Sequence, residues 1–372
     1  MPDRQVPFSY TTEAAYLDTA AEGLPPLAAL QATSGYLKSK SRGSSGRPDF
    51  YGIEARATQA AVQLLAAAPG SVALLSSASE GLNLFANSLD WRDGDEVIIT
   101  DLEFPSNVYP WLRLRDRGVK LIVIPSRDGV LHLSDFTSRF SSRTRVVSAS
   151  FVSYVNGTRL PFLSELGEAA HRAGALLCVD ATQGLGRVPL SVENIDFLVS
   201  SSYKWLLGLH GSGVAYLGPQ LADSFQPFTV GWYGARSIFT PQRFESIDLK
   251  PGAARMLSGM PNYAAQAALE QGICYLLTRG VASLYDDLVP LVRELRKAVE
   301  RAGYPLLTPA DEAFASGIVS FASGNPVGVK QALEHAGVIV WAGDGRVRAS
   351  VHVYNDEGDI RRLADALPRL SR

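Results

Sequence analysis

A lysine and an aspartate each follow an apolar segment of this chain. Lys204 stands in Phe197-Leu-Val-Ser-Ser-Ser-Tyr-Lys-Trp205, and Asp180 ends the apolar run Leu176-Leu-Cys-Val-Asp180. A lysine amine that forms an imine and a carboxylate that faces a ring nitrogen suit pyridoxal 5′-phosphate, an electron sink for amino-acid carbanions. We therefore predict that Lys204 and Asp180 are catalytic. The alternatives are a solvated surface lysine and an aspartate that only caps a helix.

The elements that would position these two residues alternate along the chain. Short apolar runs predict strands at 72–75, 96–100, 120–125, 144–151, 176–180, 195–200 and 213–217, with helices at 79–88 and 163–173. Strands separated by helices indicate βαβ units and a mainly parallel sheet. Ligands bind beyond the carboxyl ends of such strands, where both Asp180 and the turn at 201–204 would lie.

The length of 372 residues suggests about two domains. Helical patterns at 263–278, 283–302, 327–336 and 356–367 mix with strand patterns at 317–321, 338–341 and 346–353. We expect a large domain at 21–262 and a small domain that combines 1–20 with 263–372. The polar, glycine-rich segment 39–48 is predicted to be a surface loop rather than part of an active site.

Composition argues against several classes of partner. The net charge is −2, and the charged residues are interspersed without a basic stripe. We therefore expect no nucleic-acid partner and no membrane partner. Two cysteines and five scattered histidines form no metal-ligand pattern, so no metal site is predicted. The amino terminus has no apolar leader region, and we expect a cytoplasmic protein.

Other polar and aromatic residues could complete a cofactor site. Ser79 lies where a strand gives way to a helix, so helix N–H groups and its hydroxyl could bind a phosphate, although ordinary capping fits as well. Gln183 could donate to a phenolic oxygen or lie on the surface. Phe104 could stack on a planar ring or be buried core. Arg348, in an apolar strand, could bind a substrate carboxylate or an internal acid.

Taken in order, these segments resemble the class V aminotransferase family of fold-type I pyridoxal-phosphate enzymes. This family includes cysteine desulfurases, selenocysteine lyases, isopenicillin-N-epimerase-like proteins and kynureninase. The resemblance runs from Tyr16-Leu-Asp-Thr-Ala-Ala21, similar to Y-L-D-N-A-A, to Arg348-Ala-Ser-Val-His-Val-Tyr-Asn355, similar to R-x-S-x-x-x-Y-N. It implies an α/β fold. A large domain with a mainly parallel seven-stranded sheet flanked by helices would carry a smaller α+β carboxyl-terminal domain.

The resemblance also implies roles for individual residues. Lys204 would carry the cofactor, Asp180 and Gln183 would contact its ring, and Arg348 would hold the substrate carboxylate together with Asn156. The implied cofactor-binding residues are Ala78, Ser79, Phe104, Asp180, Thr182, Gln183, Ser201, Tyr203, Lys204 and Met260.

Three positions depart from the family pattern. Met260 stands where the family has a threonine that reaches the phosphate of the neighbouring subunit, so only a backbone contact is expected there. Tyr154 replaces an asparagine of the desulfurases. Desulfurases also carry a nucleophilic cysteine shortly before the carboxylate-binding arginine, and residues 316–348 contain no cysteine.

These features predict an enzyme that joins a small amino acid to pyridoxal 5′-phosphate through an imine. An aminotransferase-like reaction is preferred. The alternatives are a β-lyase for cysteine or selenocysteine without a persulfide cysteine, an epimerase, or a degenerate homologue that binds the cofactor without catalysis. A Rossmann protein is disfavoured because no G-x-G-x-x-G follows an early strand. The family further implies a homodimer with shared active sites.

Overall fold

The computed structural model describes Phe8 and residues 13–368. Residues 1–7, 9–12 and 369–372 of the predicted small domain lie outside this part. The strands are β1 (Ala15–Tyr16), β2 (Val72–Leu75), β3 (Glu96–Thr100), β4 (Lys120–Ile124), β5 (Thr144–Ser150), β6 (Leu176–Asp180), β7 (Phe197–Ser201), β8 (Gly213–Leu217), β9 (Ile318–Ala322), β10 (Val338–Ile339), β11 (Trp341–Gly343) and β12 (Arg346–Ser350). The α-helices are α1 (Leu27–Lys40), α2 (Arg47–Leu64), α3 (Ala78–Asn87), α4 (Tyr109–Arg113), α5 (Leu133–Thr137), α6 (Leu163–Arg172), α7 (Tyr263–Arg279), α8 (Val281–Arg301), α9 (Pro326–His335) and α10 (Glu357–Ala366).

Seven strands form the large sheet, in the order β2-β8-β7-β6-β5-β3-β4. The pairs from β7 to β4 are parallel, and only β8 runs against its two neighbours. The predicted fold class, a mainly parallel seven-stranded sheet with flanking helices, is confirmed. Because β5, β6 and β7 are parallel, their carboxyl ends lie at one edge of the sheet, where a ligand site is expected.

The two faces of this sheet are both buried. Ile98 and Val147 belong to one apolar cluster, whereas their neighbours Val97 and Val146 belong to a second, and all four have 0 % exposure. Strands buried on both faces read as continuous apolar runs rather than alternating ones, which is why they are recognisable in the sequence. Helices therefore cover the faces, and the strand ends are left for polar side chains.

The carboxyl-terminal part contains a three-stranded antiparallel sheet in the order β11-β12-β9. The amino-terminal strand β1 pairs in parallel with β10, and Leu17 is buried in the same apolar cluster as Val319 and Val347. Helix α7 packs against α1 and α2. The predicted domain boundary between residues 262 and 263 stays a prediction. No helix in the described part of the chain is long and apolar enough to cross a membrane.

The prediction of a loop at 39–48 is wrong in its extent. Helix α1 continues to Lys40, a single 3₁₀ turn follows, and α2 begins at Arg47. Pro48 lies in the first turn of α2, where proline is pre-organised for a helix. The side chains of Ser39 and Arg42 both hydrogen-bond to the carboxylate of Asp49. Polar residues of this segment therefore bind one another where α1 and α2 meet.

Candidate active site

One pocket lies at the carboxyl ends of β5, β6 and β7, beside the start of α3. It brings together all of the predicted cofactor-binding residues except Met260. The lining residues are Ala78, Ser79, Phe104, Ser106, Ser150, Val152, Tyr154, Asp180, Thr182, Gln183, Ser201, Tyr203 and Lys204. Of these, Ser106, Ser150, Val152 and Tyr154 were not predicted to be site residues. Ser106 belongs to the same short segment as Phe104, which was the available signal for it.

Lys204 lies three residues beyond β7 and is 8 % exposed. Its Nζ is 5.5 Å from the ring centroids of both Phe104 and Tyr203. Burial, reinforced by the positive charge of Arg348, lowers the pKa of Lys204 to about 8. Desolvation disfavours the charged form of an amine. At pH 7 the amine is therefore unprotonated in roughly one tenth of the molecules, a far larger fraction than in an ordinary lysine, and a nucleophile or base requires this form.

The turn that carries Lys204 packs closely on the amino-terminal segment. The N–H of Gly23 donates to the carbonyl oxygen of Tyr203 over 2.8 Å. A Cβ added at Gly23 would lie 1.9 Å from the carbonyl oxygen of Lys204, so only glycine fits there. The backbone on either side of the lysine is thus fixed from outside the large sheet.

Asp180 ends β6 and is 5 % exposed. Its Oδ1 accepts a hydrogen bond from the N–H of Thr182 over 2.9 Å, and the Thr182 side chain also hydrogen-bonds this carboxylate. The Thr182 hydroxyl oxygen in turn accepts from the N–H of Ser201 over 3.1 Å, so the ends of β6 and β7 are tied together. Burial raises the pKa of Asp180. A cation facing this carboxylate would act in the opposite direction.

Helix α3 begins at the pocket. Ser77 caps the helix by accepting from the N–H of Glu80, and the N–H groups of the first turn have no acceptor within a helix. The hydroxyls of Ser79 and Ser106 are 2.8 Å apart. Ser201 and Tyr203 add two more hydroxyls to the lining. A helix start surrounded by hydroxyl donors is a suitable site for a phosphate.

Gln183 is held from two sides. Its Nε2 donates to the carbonyl oxygen of Ala20 over 2.9 Å, and its Oε1 accepts from Nε1 of Trp205 over 2.8 Å. An amide nitrogen has two hydrogens, so one donor is left for a ligand in the pocket. Phe104, at the opposite side, is 43 % exposed and meets the ring of Tyr154 edge to face at 5.0 Å.

Arg348 is buried beside this pocket, with 4 % exposure. Its Nη1 donates to the carbonyl oxygen of Tyr154 over 3.0 Å. The charge of Arg348 contributes to the lowered pKa of Lys204, so the two cations are close enough to interact. Burial lowers the pKa of Arg348 itself to about 10, and it remains charged at neutral pH.

Two predicted residues are not brought to the pocket. The Asn156 amide donates to the carbonyl oxygen of Gly129 over 2.8 Å and accepts from the N–H of Thr158 over 3.0 Å. Both ends of the amide thus stabilise a turn, and we leave Asn156 out of the proposed substrate site. Met260 is 43 % exposed, and its sulfur accepts from the hydroxyl of Tyr263 over 3.2 Å.

The family can now be stated from comparison with known proteins. The model of the family described as Aminotransferase class-V matches residues 15–363, so the chain belongs to that family. The resemblance inferred from the motifs is confirmed. This is a family of enzymes that depend on pyridoxal 5′-phosphate, and the predictions of an enzyme and of that cofactor are confirmed at this level.

Particular relatives extend over nearly the whole chain. A probable cysteine desulfurase of Methanothermobacter thermautotrophicus is 29 % identical over 96 % of this chain and 94 % of its own length. The uncharacterized aminotransferase YcbU of Bacillus subtilis is 28 % identical over 82 % of this chain and 80 % of its own. The apo structure of a cysteine desulfurase from Thermococcus onnurineus NA1 superimposes with a TM-score of 0.89 at 26 % identity, covering 98 % of both chains.

Proposed function

We propose that this enzyme uses pyridoxal 5′-phosphate to cleave the bond between Cβ and sulfur in a sulfur-containing amino acid, and that it releases the sulfur group directly. The observation that carries the proposal is that Lys204 and Asp180 line one pocket while Arg348 lies beside it, close enough to lower the pKa of Lys204. The choice of sulfur chemistry is supported by the relatives, several of which are named cysteine desulfurases. Amino transfer, which was preferred from the sequence, becomes the second candidate.

The pocket residues fit the cofactor. The start of α3, with Ser79 and Ser201, would hold its phosphate, Asp180 would face its ring nitrogen, and Nζ of Lys204 would bond to its aldehyde carbon. When bound, the cofactor supplies an electron sink for negative charge at the substrate Cα. Phe104 would lie against the ring, and the free amide hydrogen of Gln183 would reach its phenolic oxygen.

The chain's own groups then act in a defined order. Arg348 holds the substrate α-carboxylate through its guanidinium fork, which fixes the orientation of Cα. Lys204 would take the α-proton, and its pKa of about 8, lower than that of an ordinary lysine, suits a base near neutral pH. The electron pair of the former Cα–H bond forms a Cα=Cβ double bond as the Cβ–S bond breaks, and the electron pair of that bond goes to sulfur. The sulfur is protonated and leaves as sulfide or thiol, or as a persulfide when the substrate is a disulfide. The remaining carbon skeleton hydrolyses to a keto acid and ammonia.

Direct release follows from the position of the two cysteines. Cys178 lies inside β6 with 0 % exposure, and burial raises the pKa of its thiol. Cys274 lies on α7, outside the pocket lining. A thiol of raised pKa inside an apolar strand is a poor nucleophile and has no access to substrate sulfur.

Replacement of both Cys178 and Cys274 by alanine should therefore leave turnover largely intact. We expect kcat to change by less than about threefold, because neither thiol takes part. The measurement is sulfide or thiol release by the folded double variant, compared with each single variant to separate a packing effect at Cys178. A persulfide trapped on either cysteine during turnover would contradict direct release.

Amino transfer is favoured by one specific observation, the similarity to the relative named as an aminotransferase. Product analysis separates the two reactions. Incubation with cysteine or S-substituted cysteines should yield a keto acid, ammonia and sulfide or thiol without any added amino acceptor. Cystine should yield the keto acid, ammonia and cysteine persulfide, whereas alanine, which has no leaving group at Cβ, should yield no product and serves as the control. If product formation requires an added 2-oxo acid and the amino group is recovered on that acid, the lyase proposal is wrong and amino transfer takes its place.

We further propose that the enzyme is a homodimer in which each subunit completes the other's site. Several large apolar side chains within residues 228–247 are strongly exposed, which is unusual for a surface facing only water. They are Phe228 (72 %), Trp232 (50 %), Phe239 (91 %), Phe244 (83 %) and Ile247 (59 %). Met260, close behind this segment, stands where the family places a threonine that reaches the partner's phosphate.

The Met260→Thr variant should bind the cofactor more tightly than the wild type, by roughly tenfold or more. The added hydroxyl would restore one hydrogen bond to a charged phosphate, a bond typically worth about 1.5–3 kcal/mol. Fluorescence titration gives the affinity, and light scattering gives the mass. Met260→Ala is the matched control, since it removes the same side chain without adding a donor. A monomer with full cofactor occupancy would refute the shared site.

A further inference from the structure

A second arginine lies two residues before Arg348 on the central strand of the small sheet. Residues of a strand alternate between its two faces. Val347 and Ala349 are buried in the apolar cluster beneath β12, so Arg346, Arg348 and Ser350 lie on the opposite face. Ser350 accepts from the N–H of Ala20 over 3.0 Å, which places this face against the segment that precedes the lysine-contacting glycine.

Arg346 is 6 % exposed, and aromatic rings surround it. Its guanidinium carbon lies 5.5 Å from the ring centroid of Tyr154 and 4.9 Å from that of Trp341. The guanidinium of Arg348 lies 5.1 Å from the same Trp341 ring. Tyr154 lines the pocket, its ring contacts Arg346, and its carbonyl oxygen binds Arg348, so the two guanidinium groups lie side by side behind Tyr154, next to the pocket lining.

The hydrogen-bond donors of this pair are incompletely used. Within the described part of the chain, Nε and Nη2 of Arg346 and Nε of Arg348 are buried without a hydrogen-bond partner. The carboxylate of Asp344 is 3.5 Å from Nη1 of Arg346, but the Asp344 side chain is 71 % exposed to solvent, so this ion pair contributes little. The negative charge of Asp18 interacts mainly with Arg348. Arg346 is not among the groups that act most strongly on Asp18. Ring contacts satisfy the faces of a guanidinium and leave its in-plane N–H groups unsatisfied.

Two buried cations with spare donors are costly unless anions join them. We propose that Arg346 binds a second anionic group of the substrate, so that the preferred amino acid carries a further carboxylate or similar oxyanion beyond the α-carboxylate held by Arg348. This rests on the proposed amino-acid site. The ring of Tyr154 covers the Arg346 guanidinium, and its partial exposure allows it to turn aside when the second anion enters. A carboxylate then meets the guanidinium fork in a bidentate geometry.

The test uses unreactive ligands, so it does not depend on which reaction the enzyme performs. Succinate and glutarate are titrated against butyrate on the cofactor-loaded enzyme by calorimetry. We expect at least one dicarboxylate to bind roughly tenfold or more tightly than butyrate. Arg346→Met should remove that difference while leaving the affinity for butyrate within about twofold, and Arg346→Lys should retain part of it. Arg159→Met, which removes another arginine that lies over an aromatic ring, that of Tyr285, and is not part of the pocket lining, is the matched control.

Each outcome decides the proposal. Equal binding of mono- and dicarboxylates by the wild type overturns it, and so does an equal loss of both in Arg346→Met. If Arg346 only packs between the rings, Arg346→Met lowers the melting temperature without changing selectivity. The wild-type comparison and Arg346→Lys still decide if the methionine variant does not fold. Aspartate and cystine then distinguish a side-chain carboxylate from the far end of a disulfide-linked substrate. If the enzyme performs amino transfer instead of elimination, the lyase proposal is wrong, but the proposed preference for a second anionic group is unaffected.

Discussion

Replacement of Lys204 by alanine is expected to abolish the covalent, borohydride-reducible linkage between protein and cofactor. In the same variant, the rate of α-proton removal should fall by about 10²–10⁴-fold, which is the usual contribution of a positioned base. The fold should persist, because the lysine places a charge in a buried setting that lowers its pKa to about 8. Mass spectrometry after reduction locates the linkage, and loss of α-deuterium from labelled substrate measures the proton step.

Lys250→Ala is the matched control for this experiment. Lys250 also lies over an aromatic ring, 4.7 Å from the centroid of Tyr233, but it is not part of the pocket lining. The control should keep both the linkage and the proton exchange. A reducible linkage at the same site in Lys204→Ala would show that another group carries the cofactor and would remove the central residue of the proposed mechanism.

The second large effect is expected at Asp180. Asp180→Asn should slow α-proton removal by roughly 10²–10³, since removal of a preorganised charge typically costs about 3–4 kcal/mol in the barrier. Asparagine keeps an oxygen that can accept the hydrogen bond from the N–H of Thr182, so the end of β6 should be retained. Hydrogen–deuterium exchange at the substrate Cα is the measurement, with cofactor absorbance as a second readout of ring protonation.

Thr182→Val separates the charge of Asp180 from its surroundings. The variant removes the hydroxyl that hydrogen-bonds Asp180 and the N–H of Ser201 but leaves the carboxylate in place. We expect a loss of about tenfold or less. If Asp180→Asn exchanges α-deuterium as fast as the wild type, Asp180 only caps the turn after β6 and does not tune the cofactor.

Much of the fold could be predicted because the buried strands are short and continuously apolar. The predicted segments 72–75, 96–100, 176–180 and 213–217 coincide with the strands of the structure. Local composition was misleading at 39–48, where polar residues and glycines suggested a loop. This segment has a weak intrinsic preference for helix. In the folded chain, an ion pair between Arg42 and Asp49 links the end of α1 to the start of α2.

The site was partly accessible to the same reasoning. Residues at strand ends, such as Asp180 and Lys204, are located by topology, because parallel strands deliver their carboxyl ends to one edge. Side-chain direction within an irregular turn is not encoded by position in a motif. Asn156 illustrates this, since its amide is used within its own turn. Arg346 was not predicted to belong to the site. Arginines that alternate with apolar residues are typical of a strand with one solvent-exposed face, and only the burial of Arg346 in the structure distinguishes it from such a residue.

The hydrogen bonds between the two ends of the chain have a consequence for synthesis on the ribosome. Ala20 and Ser350, which meet beside the pocket, are 330 residues apart. Lys204, Asp180 and helix α3, which would bind the cofactor phosphate, are translated well before β12. The residues that would bind the cofactor therefore leave the ribosomal tunnel while the arginine face that would recognise the substrate is still inside it. The groups that would bind the cofactor are thus synthesised before the arginine that would recognise the substrate, and the carboxyl-terminal residues, which reach the lysine turn through the hydrogen bond between His352 and the carbonyl oxygen of Trp205, complete the site last.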